Sequence, residues 1–284
     1  MEQNAWEDVR AQWTVEQLRL KQCLQEEDNV QWCVHPDTNT ATEQDHDARP
    51  VKRLERVAGV DISFLKGSNE HACASIVVLQ YPSLRVVYEA FTYVSLPAPY
   101  IPGFLAFREV PALTRLYEDL VARCPQYVPD ITLVDGNGIL HPQGFGLASH
   151  FGVLMDVPTI GVGKTFLHVD GLTKGDVRQQ VAAAKTKHEQ VVELQGESSK
   201  VWGAALCNQA AGVENPVFVS VGHKVSLDSS LRIVKACSRY RIPEPIRQAD
   251  LRSRQVIRSW EKHGVDTTLD SYSIAASSRG KVSP

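Results

Sequence analysis

The sequence predicts a single α/β domain: a mixed β-sheet flanked by helices and preceded by an N-terminal helix. Three observations predict it. The β-branched-rich runs RVAGVDISF, ACASIVVLQ and LRVVYEAFTYVSL follow one another across short KGSNE and YPS turns, as in an antiparallel meander. The shorter apolar runs ITLV and TIGVG alternate with stretches of helical periodicity, as in strands joined by crossover helices. At 284 residues the chain can bury one substantial core.

Residues 5–27 place Trp6, Val9, Trp13, Leu18, Leu20 and Leu24 near helical spacing among Glu, Gln, Arg and Lys, which predicts one amphipathic helix. Residues 28–50 are polar and aperiodic, as expected of a linker. After the meander and the proline-rich PAPYIPG, the stripe Val110, Leu113, Leu116, Leu120 and Val121 predicts a helix, with Glu109 opening it and Pro111 in its first turn.

ITLV then ends at Asp135 and leads into the loop GNGILHPQGFG, a helix through Leu154 and the strand TIGVG. VVELQ and VWGAALCN predict a hairpin, and VFVSVGH a strand. Helices are expected over 226–239 and 244–261 on either side of RIPEP. The second of them turns Ala249, Ser253, Val256, Ile257 and Trp260 inward. A Ser-rich tail after His263 is expected to be mobile. The expected organisation is thus a helix and acidic linker over 1–50, a catalytic domain over 51–262 and a tail over 263–284.

A composition of 43% hydrophobic and 22% charged residues excludes fibrous and disordered classes. No apolar run is long enough to span a membrane. The acidic start MEQNAWEDVR does not resemble a signal peptide, so the expected location is the cytoplasm, with nucleus and nucleolus also open. The six cysteines form no C-x-x-C pair, which points to reduced thiols rather than zinc. Charge is unevenly spread: residues 1–50 carry 4 Lys and Arg against 11 Asp and Glu, whereas residues 223–262 carry 10 against 4. A basic C-terminal segment can track phosphates or simply form a solvated face.

Asp61 is expected at the end of the first strand, in the apolar run VAGVDISF, where an ionised carboxylate is costly unless paired or bound to a cation. Asp135 ends another apolar strand just before glycines that permit close approach. Either alone could cap a loop. Glu109 could equally face a helix N-terminus, and Asp250 could face solvent. Together, four acids on two strands and two helices suit a Mg²⁺-dependent nuclease, because hard cations prefer oxygen ligands and can activate water for phosphodiester hydrolysis.

The segments VAGVDISF, VSLPAPYIPGFLAFREVP, VDGNGILHPQGFG, GVGKTFL, SVGHKVSL and RIPEPIRQAD resemble the endonuclease V family in order and separation, over about residues 50–260. The resemblance implies an RNase H-like fold and Mg²⁺-dependent phosphodiester hydrolysis, with Mn²⁺ able to substitute. It also implies recognition of inosine with cleavage of the second phosphodiester on its 3′ side, leaving 5′-phosphate and 3′-hydroxyl ends. By the same resemblance, Asp61, Glu109 and Asp135 match the metal-binding carboxylates and Asp250 the fourth catalytic acid. His141 matches an active-site histidine that could hydrogen-bond the phosphate or the attacking water, and Lys164 the lysine near the scissile phosphate. Pro99, Tyr100, Ile101 and Pro102 match a wedge that fills the gap left by an extruded nucleotide. Gly103, Leu105, Gly136, Gly138 and Gly146 match the pocket for the hypoxanthine base, where main-chain groups can read the base edge.

GFLAFREVP, DGNG and HACASIVVL are similar to the animal members, which favours inosine-containing RNA over deoxyinosine-containing DNA as the partner. KACSRY and the acidic linker depart from vertebrate members. A monomer without membrane association is expected. A DNA repair nuclease with the same centre, and a non-catalytic reader of inosine-containing RNA, are the alternatives.

Overall fold

The computed structural model describes residues 2–34, 52–98, 100–207, 215–265 and 272–273. In chain order the elements are α1 (Glu2–Lys21), β1 (Trp32–Cys33), β2 (Lys52–Arg53), β3 (Arg56–Phe64), β4 (His71–Gln80), β5 (Arg85–Ser95), α2 (Leu105–Arg123), β6 (Ile131–Asp135), α3 (Leu147–Met155), β7 (Thr159–Gly163), α4 (Lys174–Thr186), β8 (Val191–Gln195), β9 (Val201–Leu206), β10 (Val217–His223), α5 (Leu227–Ala236), α6 (Glu244–His263) and β11 (Tyr272–Ser273). Among the described residues, nine strands form one mixed sheet in the order β11-β5-β4-β3-β6-β7-β10-β9-β8, while β1 and β2 make a separate parallel pair.

The meander β3–β4–β5 is antiparallel, as its turns predict. β6 then pairs parallel to β3, and β7 parallel to β6, so three neighbouring strands end on the same edge. Parallel neighbours need crossovers, which α2 and α3 supply. The two faces of the sheet follow from the period-two alternation of strand side chains. Ala58, Val60 and Ile76 pack under α2 and α3, with Leu113, Leu116 and Phe151. Val57, Leu133 and Ile160 pack under α5 and α6, with Ile233 and Ile246. Gly59 brings α6 down onto β3, since a Cβ there would lie 2.1 Å from the Pro245 carbonyl carbon.

Several elements depart from expectation. α2 begins at Leu105, so Glu109 is its fifth residue rather than its first, and Pro111 lies inside the helix. Proline there forfeits the bond to the Phe107 carbonyl, at a cost of about 3 kcal/mol. Burial of Val110, Leu113, Leu116 and Leu120, worth roughly 1.5–3 kcal/mol each, outweighs it. Val121 is exposed and does not belong to the stripe.

α1 stops at Lys21, and Leu18 faces solvent. The face that docks carries Trp13, Gln17 and Leu20. α4 has no counterpart in the expected order. Its apolar side is thin, only Val177, Val181 and Ala184 being buried, but its Thr173–Asp176 capping box is a sequence signature of a helix start. Much of the expected linker lies outside the described residues. So does most of the tail, apart from 263–265, where α6 ends, and 272–273, which pair with Phe91 and Ala90 at the sheet edge.

Candidate active site

The shared ends of β3, β6 and β7 bring the expected residues together. Val60 is paired with Val134, so Asp61 and Asp135 follow side by side on parallel strands. Asp61 lies mid-strand rather than at the strand end, because β3 runs on to Phe64 beyond the end of β6. Asp135 is paired with Val162, two residues before Lys164 on the next strand over. By alternation, Val57, Gly59 and Asp61, then Ile131, Leu133 and Asp135, and then Ile160, Val162 and Lys164 all point toward the α6 face. A crevice beyond the carboxyl ends of parallel strands is where open α/β sheets bind ligands.

Within it, Lys164 Nζ donates to Asp135 Oδ2 at 2.5 Å. Asp61 is 6% exposed and accepts from Ser63 Oγ at 2.8 Å, while Ser63 Oγ and Ser253 Oγ of α6 stand 2.8 Å apart. Glu109 enters from α2 and is 8% exposed. Asp250 enters from α6 and is held by Arg254 at 2.8 Å.

Burial, then the charge of Asp135 and a hydrogen bond to it, push Asp61 well above the usual carboxylate range. Burial, then the charge of Asp61, push Glu109 up to about 8 despite Arg108. Burial works against the Lys164 ammonium, but Asp135, Asp61 and Asp250 outweigh it and raise its pKa. These groups therefore feel one another's charge across a common space.

The donor set consists of carboxylate oxygens, the chemistry a hard divalent cation requires, and a cation would relieve the repulsion that raises Asp61 and Glu109. Among the described residues, no three acids, histidines or cysteines form a ready-made cage. Asp135 is instead tied to Lys164, and Asp250 to Arg254.

His141 is buried, and its Nδ1 accepts from the Gln143 amide at 3.2 Å. Burial, helped by Lys21, lowers its pKa to about 4, so the ring is neutral and carries its proton on Nε2. Tyr100 is 61% exposed, Pro102 is exposed and Ile101 half-buried; Pro99 lies outside the described residues. Tyr100 lines a cleft of about 570 Å³ with Phe64, Asn69, Leu96 and Arg108.

The expected base-pocket residues divide into two groups. Gly103 (φ +86°), Leu105 and Gly136 are half-buried. Gly138 and Gly146 are buried and bonded to each other, Gly146 N–H to Gly138 carbonyl at 2.9 Å, and the Gly138 amide is taken by Ser220 Oγ. A Cβ at Gly138 would meet the Val221 carbonyl oxygen at 1.9 Å. These two glycines are required by packing, and their mutually bonded groups are not offered to a base.

Sequence reasoning missed Ser63 and Arg254 as partners of the acids. Both had a signal: Ser63 is two residues from Asp61 on the same strand face, and Arg254 is four residues from Asp250 on a helix.

The family model for endonuclease V matches residues 38–251. The chain belongs to the endonuclease V family. It is 44% identical to mouse endonuclease V over 252 residues, covering 89% of this chain and 70% of the mouse protein. The crystal structure of the catalytic domain of human endonuclease V is similar at TM-score 0.78 and 43% identity, covering 90% of this chain and 98% of that one. Endonuclease V of Ciona intestinalis, crystallised with a 24mer DNA containing an inosine followed by a ribo-adenosine, is similar at TM-score 0.77 and 33% identity, covering 89% and 99%. Membership of this endonuclease V family makes the chain a nuclease built on the mixed α/β sheet described above.

Proposed function

We propose that this endonuclease V-family chain is a Mg²⁺-dependent endoribonuclease. It recognises inosine in single-stranded RNA and hydrolyses the second phosphodiester on its 3′ side, leaving 5′-phosphate and 3′-hydroxyl ends. The observation that carries the reading is the meeting of Asp61 from within β3, Asp135 from the end of β6, Lys164 from just past β7 and Glu109 from α2. The inosine–ribo-adenosine step bound by the Ciona relative supports the choice of base and of the ribose beside it.

Asp61, Glu109 and Asp135 would hold the divalent cations, Mn²⁺ serving in place of Mg²⁺, which supply water activation and stabilisation of the leaving oxygen. Lys164 presents a compact positive charge to the phosphoryl oxygens as negative charge builds on them. His141 is neutral and acts as a donor from Nε2, orienting the phosphate or the attacking water rather than taking a proton from it. Asp250, held by Arg254, closes the crevice from the α6 side. Tyr100, on a loop stiffened by Pro102, offers an exposed ring on which a base can stack while the inosine is turned out toward Gly103 and Leu105.

The test compares matched strands that differ only in whether the nucleotide 3′ to inosine is ribo or deoxyribo, with cut sites mapped at several Mg²⁺ concentrations. A single Mg²⁺-dependent cut one nucleotide beyond inosine, much faster with the ribonucleotide, is expected. Equal rates on both strands would favour a deoxyinosine-directed DNA repair nuclease. Binding with no cut at any Mg²⁺ concentration would favour a non-catalytic reader.

A further inference from the structure

α1 reaches the base pocket with a polar side chain. Gln17 is 3% exposed on the docked face of the helix. Its Nε2 donates to the Phe145 carbonyl at 3.0 Å and to the Gly103 carbonyl at 3.2 Å, two groups 42 residues apart in sequence on separate loops. One loop leads from the Tyr100 wedge into α2, and the other precedes α3. On either side of Gln17 the helix is anchored to the first turn of α2, into which the first loop leads, and to the second loop. Trp13 stacks on Phe107 with ring centroids 5.1 Å apart and planes 8° apart, and Lys21 Nζ donates to the Gln143 carbonyl at 2.7 Å.

A primary amide suits this task because its two N–H bonds diverge at a fixed angle and can serve two acceptors at once. Gly103 turns its carbonyl from a left-handed backbone, φ +86°, that a side chain would strain. Without the amide, the Phe145 and Gly103 carbonyls would lose a shared partner, and no other bond of Gln17 would hold the two loops together.

We propose that Gln17 is a positioning residue that fixes the separation of the two loops framing the base pocket, so that the N-terminal helix takes part in choosing the base. The proposal rests on the base-recognition reading above. Hypoxanthine differs from guanine by lacking the 2-amino group, and a steric test for so small a group works only if the pocket wall cannot move. Gln17 supplies that rigidity from outside the pocket without touching the base.

The test uses the full-length chain and three variants: Gln17→Met, which fills the same space without donors; Gln17→Glu, which offers acceptors only; and Glu16→Gln as a control on the neighbouring position. Cleavage of single-stranded RNA carrying one inosine, or guanosine in its place, is measured with thermal unfolding of each protein. For Gln17→Met we expect cooperative unfolding, KM for the inosine strand raised about fivefold with kcat within about twofold, and the preference for inosine over guanosine reduced about tenfold. Gln17→Glu should do the same or more, and Glu16→Gln nothing. Folded Gln17 variants that keep the wild-type preference and KM overturn the proposal. So does a loss of cooperative unfolding in both, which would make Gln17 a residue of the scaffold rather than of the pocket. If the wild-type protein cleaves the two strands alike, the base-recognition reading itself fails, an outcome visible before any variant is considered.

Discussion

Lys164 Nζ lies 2.5 Å from Asp135 Oδ2, joining the ends of two neighbouring parallel strands across the crevice. The pairing sets a positive charge against Asp135 beside a buried Asp61 and holds the ammonium where a phosphoryl oxygen would arrive. Lys164→Met should therefore lower kcat by roughly 10²–10³-fold, the usual cost of removing one positioned charge, with KM changed far less. Single-turnover cleavage at saturating substrate reads this directly. A fall confined to KM would assign Lys164 to substrate binding alone.

Glu109 should trade stability for activity. Its pKa of about 8 stands above the ordinary 4.5, so between these values the folded protein retains a proton that the unfolded chain has released. Stability is thus full below about pH 4.5 and falls as pH rises through 8, by about 1.4 kcal/mol per pH unit in that window. With Mg²⁺ present, Glu109→Gln should abolish cleavage; in chelator-treated protein it should raise unfolding free energy at pH 7 by about 1–3 kcal/mol and flatten its decline between pH 5 and 8. Urea titrations at the two pH values check it. An unchanged slope would mean that Glu109 does not carry the proton.

Asp61→Asn should likewise stop cleavage while leaving much of the binding to an inosine-containing strand, since the proposed wedge and Gly103 loop are built from residues other than the carboxylates. Filter binding alongside a cleavage assay separates the two effects. Retained turnover would remove Asp61 from the chemistry.

How far the sequence could be read depended on whether a residue's neighbours were local. The meander was legible because alternation and turns are encoded within a few residues, and Asp61 and Asp135 stood out because a charge within an apolar strand is locally anomalous. Glu109 and Asp250 gained weight only as part of a set of four acids, and family resemblance then supplied their roles together with His141 and Lys164, whose own surroundings look ordinary. The start of α2 was misplaced because Pro111 is normally a first-turn residue, whereas here burial of the stripe on both sides of it carries the helix through. Gln17 could not be found at all: a glutamine among Glu, Leu and Arg on a surface helix looks solvent-facing, and its two partners lie 86 and 128 residues away. Gly138 and Gly146 look like ligand-contact glycines for a similar reason, since the backbone that crowds them comes from distant or folded-back segments.

Tyr100 is exposed beside a half-buried Ile101, so its ring is available to a base without unfolding anything. Tyr100→Ala should weaken engagement of an inosine-containing strand by about 1–3 kcal/mol, the range for one lost stacking contact, with the melting temperature unchanged. Tyr100→Phe should behave as wild type, because the ring face rather than the hydroxyl does the stacking. An unchanged KM in Tyr100→Ala would rule out the wedge role.

Acid sensitivity should arise at α3. His150 is buried between Phe107 and Phe145, with ring centroids 4.7 and 5.6 Å away, and its Nδ1 has no hydrogen-bond partner. Burial lowers its pKa to about 4, opposed by the charge of Glu16, and burial does the same to His141. A depressed histidine stays neutral in the fold while the unfolded chain takes up a proton below about pH 6.5. Its stabilising effect is therefore complete above that value and is lost as pH falls toward 4. Each histidine adds about 1.4 kcal/mol per pH unit to the loss over this window. His150→Gln should remove one such contribution: less stable than wild type at pH 7 because the packing between the two phenylalanines is poorer, it should lose stability more slowly from pH 6.5 to 4.5. Chemical denaturation across this range decides the matter, since parallel curves for the two proteins would show that His150 is not the group that binds the acid-unfolding proton.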